Sequence, residues 1–293
     1  MDIIKRIRDI GLIPNVDYCD CLDVNELRDI LNKVTLPIIE FDGFNKEAIE
    51  CIKKENPNMI VGIGYLEEDE IDEAIKSGVD FISPINLSHV KNKNILVIPE
   101  FRNVSEEALK ELTCVKVKKA EIDKALSINN NLKLIVRGLA KEEINNCLKI
   151  KNVIAYEDIH LIDMYDLSKL ENDANEAINN LLNISIKHIG LNEDNGNALE
   201  LAKAFAKFFN GNIRQTSKGY FGSELVEIMN TDKAKGYHGH IGLTCDDVDR
   251  CYRYYKDRGY EFDEDSATYN DDGTRKFIYF KNDIGGFAIH FVK

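Results

Sequence analysis

Several features that would place this chain in a class at sight are missing from it. No apolar run reaches the roughly 20 residues a membrane-spanning helix requires. The opening MDIIKRIRDIG is too charged for a signal peptide and predicts an amphipathic helix instead. There is no basic tract, no aromatic platform and no low-complexity segment, and the formal net charge is -13. That balance argues against a nucleic-acid backbone or an anionic membrane as partner. Seven cysteines include no C-x-x-C pair. Cys19 and Cys21 are the one close pair, and no second pair completes a metal site, so reduced thiols in a cytoplasmic protein are expected. No G-x-G-x-x-G follows the first apolar run, which weakens a dinucleotide-binding reading.

What remains is an ordinary globular composition, 293 residues with 44% hydrophobic and 30% charged, enough for one large domain or two medium ones. The acid is unevenly placed. From Ile184 onward there are 17 Asp and Glu against 15 Lys and Arg, whereas the first 183 residues hold 34 against 23. The step supports a boundary near 183, giving domains 1–183 and 184–293.

The first part carries eight short apolar runs, at 11–18, 35–43, 59–66, 81–85, 95–101, 114–120, 132–138 and 152–158. They are rich in β-branched residues and Leu, as strands buried on both faces require. Amphipathic patterns lie between them at 23–33, 45–55, 67–78, 105–112 and 141–150, with Asp23 and Ser105 as starts and Gly78 as a stop. Alternating β and α units predict a parallel α/β fold, and eight is the number that closes a barrel. An open doubly wound sheet is the alternative.

In a barrel the site forms at the carboxyl ends of the strands. That selects Glu40 and Asp42, Gly64 and Tyr65, Ser83, Glu100, Lys116 and Lys118, Arg137, and Glu157 with Asp158. The stretch TCVKVKKAE then has Val115 and Val117 facing helices and its lysines facing the interior. A desolvated lysine is expected below its ordinary value of about 10.4. A neutral amine attacks carbonyls to give a Schiff base, and a carboxylate such as Glu40 moves the protons. The competing reading makes these residues a structural charge network in a barrel mouth.

These strand ends, above all LPIIEFDG, VGIGYLEEDEIDEAIKSGVDFISP, ILVIPE and VKVKKAE, resemble the aldolases of 2-keto-3-deoxy-6-phosphogluconate and 4-hydroxy-2-oxoglutarate. The resemblance runs over residues 1–182 and implies a (β/α)8 barrel, a trimeric homo-oligomer and no cofactor for the barrel. It implies Lys116 as the Schiff-base lysine and Glu40 as the acid/base; Tyr65, Ser83, Lys118 and Arg137, at the strand ends, are the candidates to surround a small 2-oxo-acid. This chain also departs from the family. Phe44 stands where an arginine holds the substrate carboxylate, and Tyr65 and Glu100 replace a threonine and a glycine. Val136-Arg137-Gly138 and Glu157-Asp158-Ile159 replace two glycine-rich phosphate loops. Phosphate needs backbone N–H groups that glycines leave open, and added carboxylates repel it, so a non-phosphorylated substrate is expected. Arg137 or Arg102 is a candidate for the missing carboxylate clamp.

From Ile184 the periodicity changes to a strand, a helix and three short strands, and then repeats. KHIGL at 187–191 aligns with GHIGL at 239–243, and VEIMN at 226–230 with AIHFV at 288–292. This is an internal βαβββ repeat, giving an α+β domain of two modules. His188 and His240 occupy the first strand of each module, and Glu227 and His290 the last. Four ligand-type side chains at equivalent positions suit a divalent metal such as Zn, Mn, Ni or Fe, with His238 as competitor or outer partner. GHIGLTCDDVD resembles the vicinal oxygen chelate superfamily of glyoxalases and related proteins, which implies the same four ligands, although His290 stands where that superfamily usually has Glu.

Three functions follow. The first is Schiff-base aldol cleavage of a 2-keto-acid such as 4-hydroxy-2-oxoglutarate. The second is metal-dependent isomerase or lyase chemistry in the second domain beside a degenerate barrel. The third is a protein that binds a metabolite without turning it over.

Overall fold

The computed structural model describes residues 2–17, 24–34, 36–90, 93–162, 167–193, 195–230 and 234–293. Cys19, Cys21 and Asp23 lie outside them. The chain separates into two compact units, Met1–Leu181 and Leu182–Lys293.

The first unit opens with helix α1 (Ile3–Ile10). Asp2 caps it, accepting from Lys5 N at 3.0 Å, and Gly11 ends it at φ 79°, a left-handed turn that glycine adopts without a Cβ clash. Strands and helices then alternate: β1 (Leu12–Asp17), α2 (Val24–Val34), β2 (Ile38–Asp42), α3 (Lys46–Glu55), β3 (Ile60–Leu66), α4 (Ile71–Lys76), β4 (Phe81–Pro84), β5 (Leu96–Val97), α5 (Glu106–Glu111), β6 (Cys114–Lys118), α6 (Ile122–Ile128), β7 (Lys133–Arg137), α7 (Lys141–Leu148), β8 (Val153–Asp158) and α8 (Leu170–Leu182). The apolar runs of the sequence are these strands. The segment at 95–101 is the exception: only Leu96–Val97 is strand, and a 3-10 turn over Phe101–Asn103 takes the rest.

All strand pairs are parallel, in the order β5-β4-β3-β2-β1-β8-β7-β6. The ring shuts between β5 and β6 through one parallel bridge, Glu100 to Lys116, with Lys116 N donating to Pro99 O at 2.9 Å. The result is a (β/α)8 barrel, and the order excludes a doubly wound sheet, whose strand sequence reverses at its centre.

The two faces of β6 answer the ambiguity in CVKVK. Val115 and Val117 are fully buried against Leu109, Ile122 and Ala125 of the helical layer. Each such burial contributes roughly 1.5–3 kcal/mol. Lys116, on the opposite face, points into the barrel and is 3% exposed. Lower in the interior Phe81 fills the space over Gly62, where any Cβ would overlap its ring, so this close approach requires glycine.

The second unit holds two βαβββ modules. The first is β9 (Ser185–Asn192), α9 (Ala198–Phe208), β10 (Arg214–Gln215), β11 (Gly219–Ser223) and β12 (Val226–Met229). The second is β13 (Gly239–Thr244), α10 (Val248–Asp257), β14 (Phe262–Tyr269), β15 (Arg275–Phe280) and β16 (Phe287–Val292). They form one mixed sheet, β10-β11-β12-β9-β13-β16-β15-β14. The modules meet at the antiparallel pair β9–β13, and each last strand lies parallel to its own first strand. Asp247 caps α10, accepting from Arg250 N at 3.0 Å. Among the described residues, no helix is long and apolar enough to cross a membrane.

Candidate functional sites

Period-two alternation on β2, β6, β7 and β8 sends Glu40, Lys116, Arg137 and Glu157 to the barrel interior near its carboxyl end. Lys116 Nζ hydrogen-bonds Glu40 Oε1 and lies 3.3 Å from Glu157 Oε2. Both carboxylates are almost fully buried. Asn15, on β1, donates both amide hydrogens, to Glu157 Oε1 at 2.8 Å and to Asp42 Oδ1 at 3.0 Å. Ser83 Oγ has one hydrogen and two acceptors in reach, Ile98 O at 2.7 Å and Glu40 Oε1 at 3.2 Å; the nearer carbonyl takes it.

Burial pulls the Lys116 ammonium down, but Glu40 and Glu157 together outweigh it and hold the group above its ordinary value. The expected lowering is therefore reversed, because the lysine enters the low-dielectric interior between two carboxylates. Lys118 does not depress it either. That side chain is exposed at the mouth, and the cation opposing protonation of Lys116 is Arg137. Burial raises Glu40 to about 7, against the pull of Lys116 and with Glu157 adding to the rise. Glu40 Oε2 is buried without a hydrogen-bond partner among the described residues, as is Glu157 Oε2, an arrangement that costs desolvation free energy.

A cavity of about 520 Å³ opens above Lys116, lined among others by Tyr65, Glu100, Arg102, Lys118 and Arg137. Glu100 lies on its wall. It pairs with Arg137 and with Arg102 and accepts from the Tyr65 hydroxyl at 2.9 Å. Burial pushes its carboxyl up, but the Tyr65 bond and the two guanidiniums leave it below the usual range. Both arginines expected as carboxylate clamps are thus already engaged by a carboxylate of the chain itself. Tyr65 reaches this position because the pairing of β3 with β4 shifts register between Gly64 and Leu66, a bulge that re-aims the side chain. Its φ of 52° is uncommon for a bulky residue and marks local strain.

One member of this centre, Asn15, carries no signal of its own in the sequence, and another, Glu157, is marked there only as a strand end beside Asp158. Asn15 sits in an apolar run like any strand-end asparagine. Glu157 stands where a phosphate loop was expected, and its inward turn toward Lys116 follows from the β8–β1 register, Glu157 opposite Ile13.

In the second unit the HIG repeats converge. His188 Nε2 lies 3.0 Å from His240 Nε2, and Glu227 Oε2 lies 3.4 Å from His240 Nε2 and 3.8 Å from His188 Nε2. The ligand atoms of His188, His240 and His290 all fall within 4.8 Å of one another, and all three residues are buried. The geometry depends on the glycine two positions after each first-strand histidine. A Cβ on Gly190 would overlap the His240 ring, and one on Gly242 the His188 ring. Gly190 pairs with both His240 and Glu227, and Gly242 with both His188 and His290, so the modules exchange space symmetrically.

Burial, then the neighbouring imidazoles, pushes His290 down to about 3; burial likewise lowers His188. These rings are neutral at physiological pH, the form that ligates a metal. A metal about 2.0–2.1 Å from each donor sets donors roughly 3.0–3.4 Å apart. The observed 3.0 and 3.4 Å fall in that range, and the 3.8 Å between Glu227 and His188 lies just outside it. His238 lies apart from the cluster: its ring meets Tyr237 edge-on and Phe287 at a tilt.

No protein-family model matches this chain. No curated protein matches it. Among solved structures, the chain is similar to the 2-keto-3-deoxy-6-phosphogluconate aldolase of Zymomonas mobilis ZM4 with 3-phosphoglycerate, at 17% identity over 59% of this chain and 94% of that one, with a TM-score of 0.49. It is similar to a 4-hydroxy-2-oxoglutarate aldolase from TTHB1 at 15% identity, over 62% of this chain and 99% of that one, with a TM-score of 0.48. A third is the aldolase of Legionella pneumophila with pyruvate captured as a covalent carbinolamine, at 14% identity over 60% of this chain and 96% of that one, with a TM-score of 0.49. At such identities the likeness is one of fold, and the barrel assignment stands on the strand order itself.

Proposed function

We propose that the barrel is a lyase that forms a Schiff base between Lys116 and a small, non-phosphorylated 2-oxo-acid, with Glu40 moving the protons. The observation that carries this reading is the burial of Lys116 at the floor of the cavity, bonded to a carboxyl group poised near neutrality. A general acid works best when its pKa lies near the operating pH. Arg137 opens onto the same cavity and is the cation nearest the reacting amine that can take the substrate carboxylate once Glu100 releases it. The non-phosphorylated substrate is read from the end of β8, where Glu157 and Asp158 stand in place of glycines that would open backbone N–H groups to a phosphate. Incubation with pyruvate and borohydride is expected to add one reduced pyruvyl group to the Lys116 peptide. A peptide unchanged even at high pyruvate would sink the proposal.

A second reading rests on the histidine cluster. We propose that His188, His240, His290 and Glu227 hold a divalent ion of the Zn, Mn, Ni or Fe type in a vicinal-oxygen-chelate-like domain. Such an ion, when bound, supplies Lewis-acid chemistry to adjacent oxygens of a ligand. The chain's own part is to present three imidazoles and one carboxyl group in a buried cradle. Elemental analysis of protein purified without chelator is expected to find one equivalent of metal. Loss of that metal in the double variant His188→Ala, His240→Ala supports the site, and metal-free wild-type protein that takes up none on addition refutes it.

A further inference from the structure

We infer that Glu157 is a second catalytic carboxylate of the Lys116 centre, paired with Glu40 across the amine. The inference rests on the Schiff-base reading of Lys116. The two carboxylates approach Nζ from different strands, Glu40 from β2 and Glu157 from β8. Glu157 is held in place on its other oxygen by Asn15 at 2.8 Å and Arg137 at 3.4 Å, so its Oε2 is left for Lys116. Asp42 shares the Asn15 amide, and Glu100 is engaged by the two arginines, so neither competes for the amine.

The proton count of the reaction gives each of the two groups a task. Lys116 enters as an ammonium with three hydrogens and ends as an iminium with one, while the oxo oxygen leaves as water. Two protons therefore pass from nitrogen to oxygen. Glu157 takes the first, freeing the nitrogen lone pair. The lone pair forms the C–N bond as the C–O π pair moves to oxygen, which is protonated by Glu40. Glu40 then takes the second proton from nitrogen, and Glu157 yields its proton to the hydroxyl as the C–O bond breaks. Both carboxyl groups finish as they began, and no outside reactant is needed. A single carboxyl would have to make both transfers in turn while Lys116 remained clamped by the other.

The test is the rate at which borohydride fixes pyruvate on Lys116, followed by peptide mass across pH 6 to 9, in wild type, Glu157→Gln and Glu157→Asp. Loss of one positioned proton-transfer group slows such steps by about 10²-fold or more. Glu157→Gln is therefore expected to lower the maximal rate by about that factor, and Glu157→Asp, which keeps the charge but draws it back, by less. A Glu157→Gln profile merely displaced to lower pH with its maximum intact would overturn the inference, since Glu157 would then only hold Lys116 protonated. Wild-type protein that traps no pyruvate refutes the underlying Schiff-base reading instead. If Glu157→Gln does not fold, Glu157→Asp decides: a rate equal to wild type overturns the inference.

Discussion

Replacing Lys116 by methionine removes one ammonium and leaves its volume filled. The loss is then electrostatic, because Glu40 and Glu157 stay buried without their shared cation. Breaking a buried pair in this way costs about 3–5 kcal/mol. The cost depends on pH in a stated direction. Glu40 already stands near 7 when folded, against about 4.5 unfolded, so the folded state holds the extra proton between these values and stability falls as pH rises through them. Without Lys116, which lowers Glu40, its folded pKa rises further, and the fall continues above pH 7 at up to about 1.4 kcal/mol per pH unit. The variant is thus expected to lose about 2 kcal/mol more, relative to wild type, at pH 8.5 than at pH 6. Peptide-resolved hydrogen exchange, corrected for intrinsic rates, measures this in the strands of the barrel, and the strands of the second unit serve as an internal reference. Equal losses of protection at the two pH values would show that the carboxylates are not confined as described.

Three further outcomes follow from the same geometry. Gly190→Ala and Gly242→Ala each drive a methyl group into the opposite histidine ring, so Co²⁺ titration should show affinity reduced by at least about 10-fold; unchanged spectra in both variants would count against the cradle. Inorganic phosphate at tens of millimolar should leave pyruvate trapping on Lys116 unaffected, and strong competition would mean that phosphate binds despite the missing glycines at the end of β8. Wild-type trapping should lose its acid as pH rises through about 7, and Glu40→Gln should abolish that limb; a limb that persists belongs to another group.

The barrel was legible in the sequence because parallel strands buried on both faces read as continuous β-branched runs, and eight of them alternated with helices. Lys116 and Glu40 could be placed inside because alternation fixes a face once the outer valines are assigned. The HIG repeat likewise placed His188 and His240 on equivalent strands. What stayed illegible was long-range pairing. That Glu157 would turn toward Lys116, that Asn15 would bridge it to Asp42, and that Glu100 would draw both arginines depend on register between strands far apart in the chain. The sign of the Lys116 shift was missed for the same reason, since desolvation can be read from a buried position but a second carboxylate 3.3 Å away cannot.

The seam of the barrel bears on how the site comes into being. β5 contributes two strand residues, and the ring shuts through the single bridge from Glu100 to Lys116. Lys116 thus stands on the terminal strand of the sheet, and Glu40 lies on β2, in the middle of it. While the sheet is open the amine keeps Glu157 two strands away on β8 but has no Glu40. Closing the last rung of the ladder therefore brings the amine to the carboxyl group that moves its protons, and the catalytic pair exists only in the shut ring.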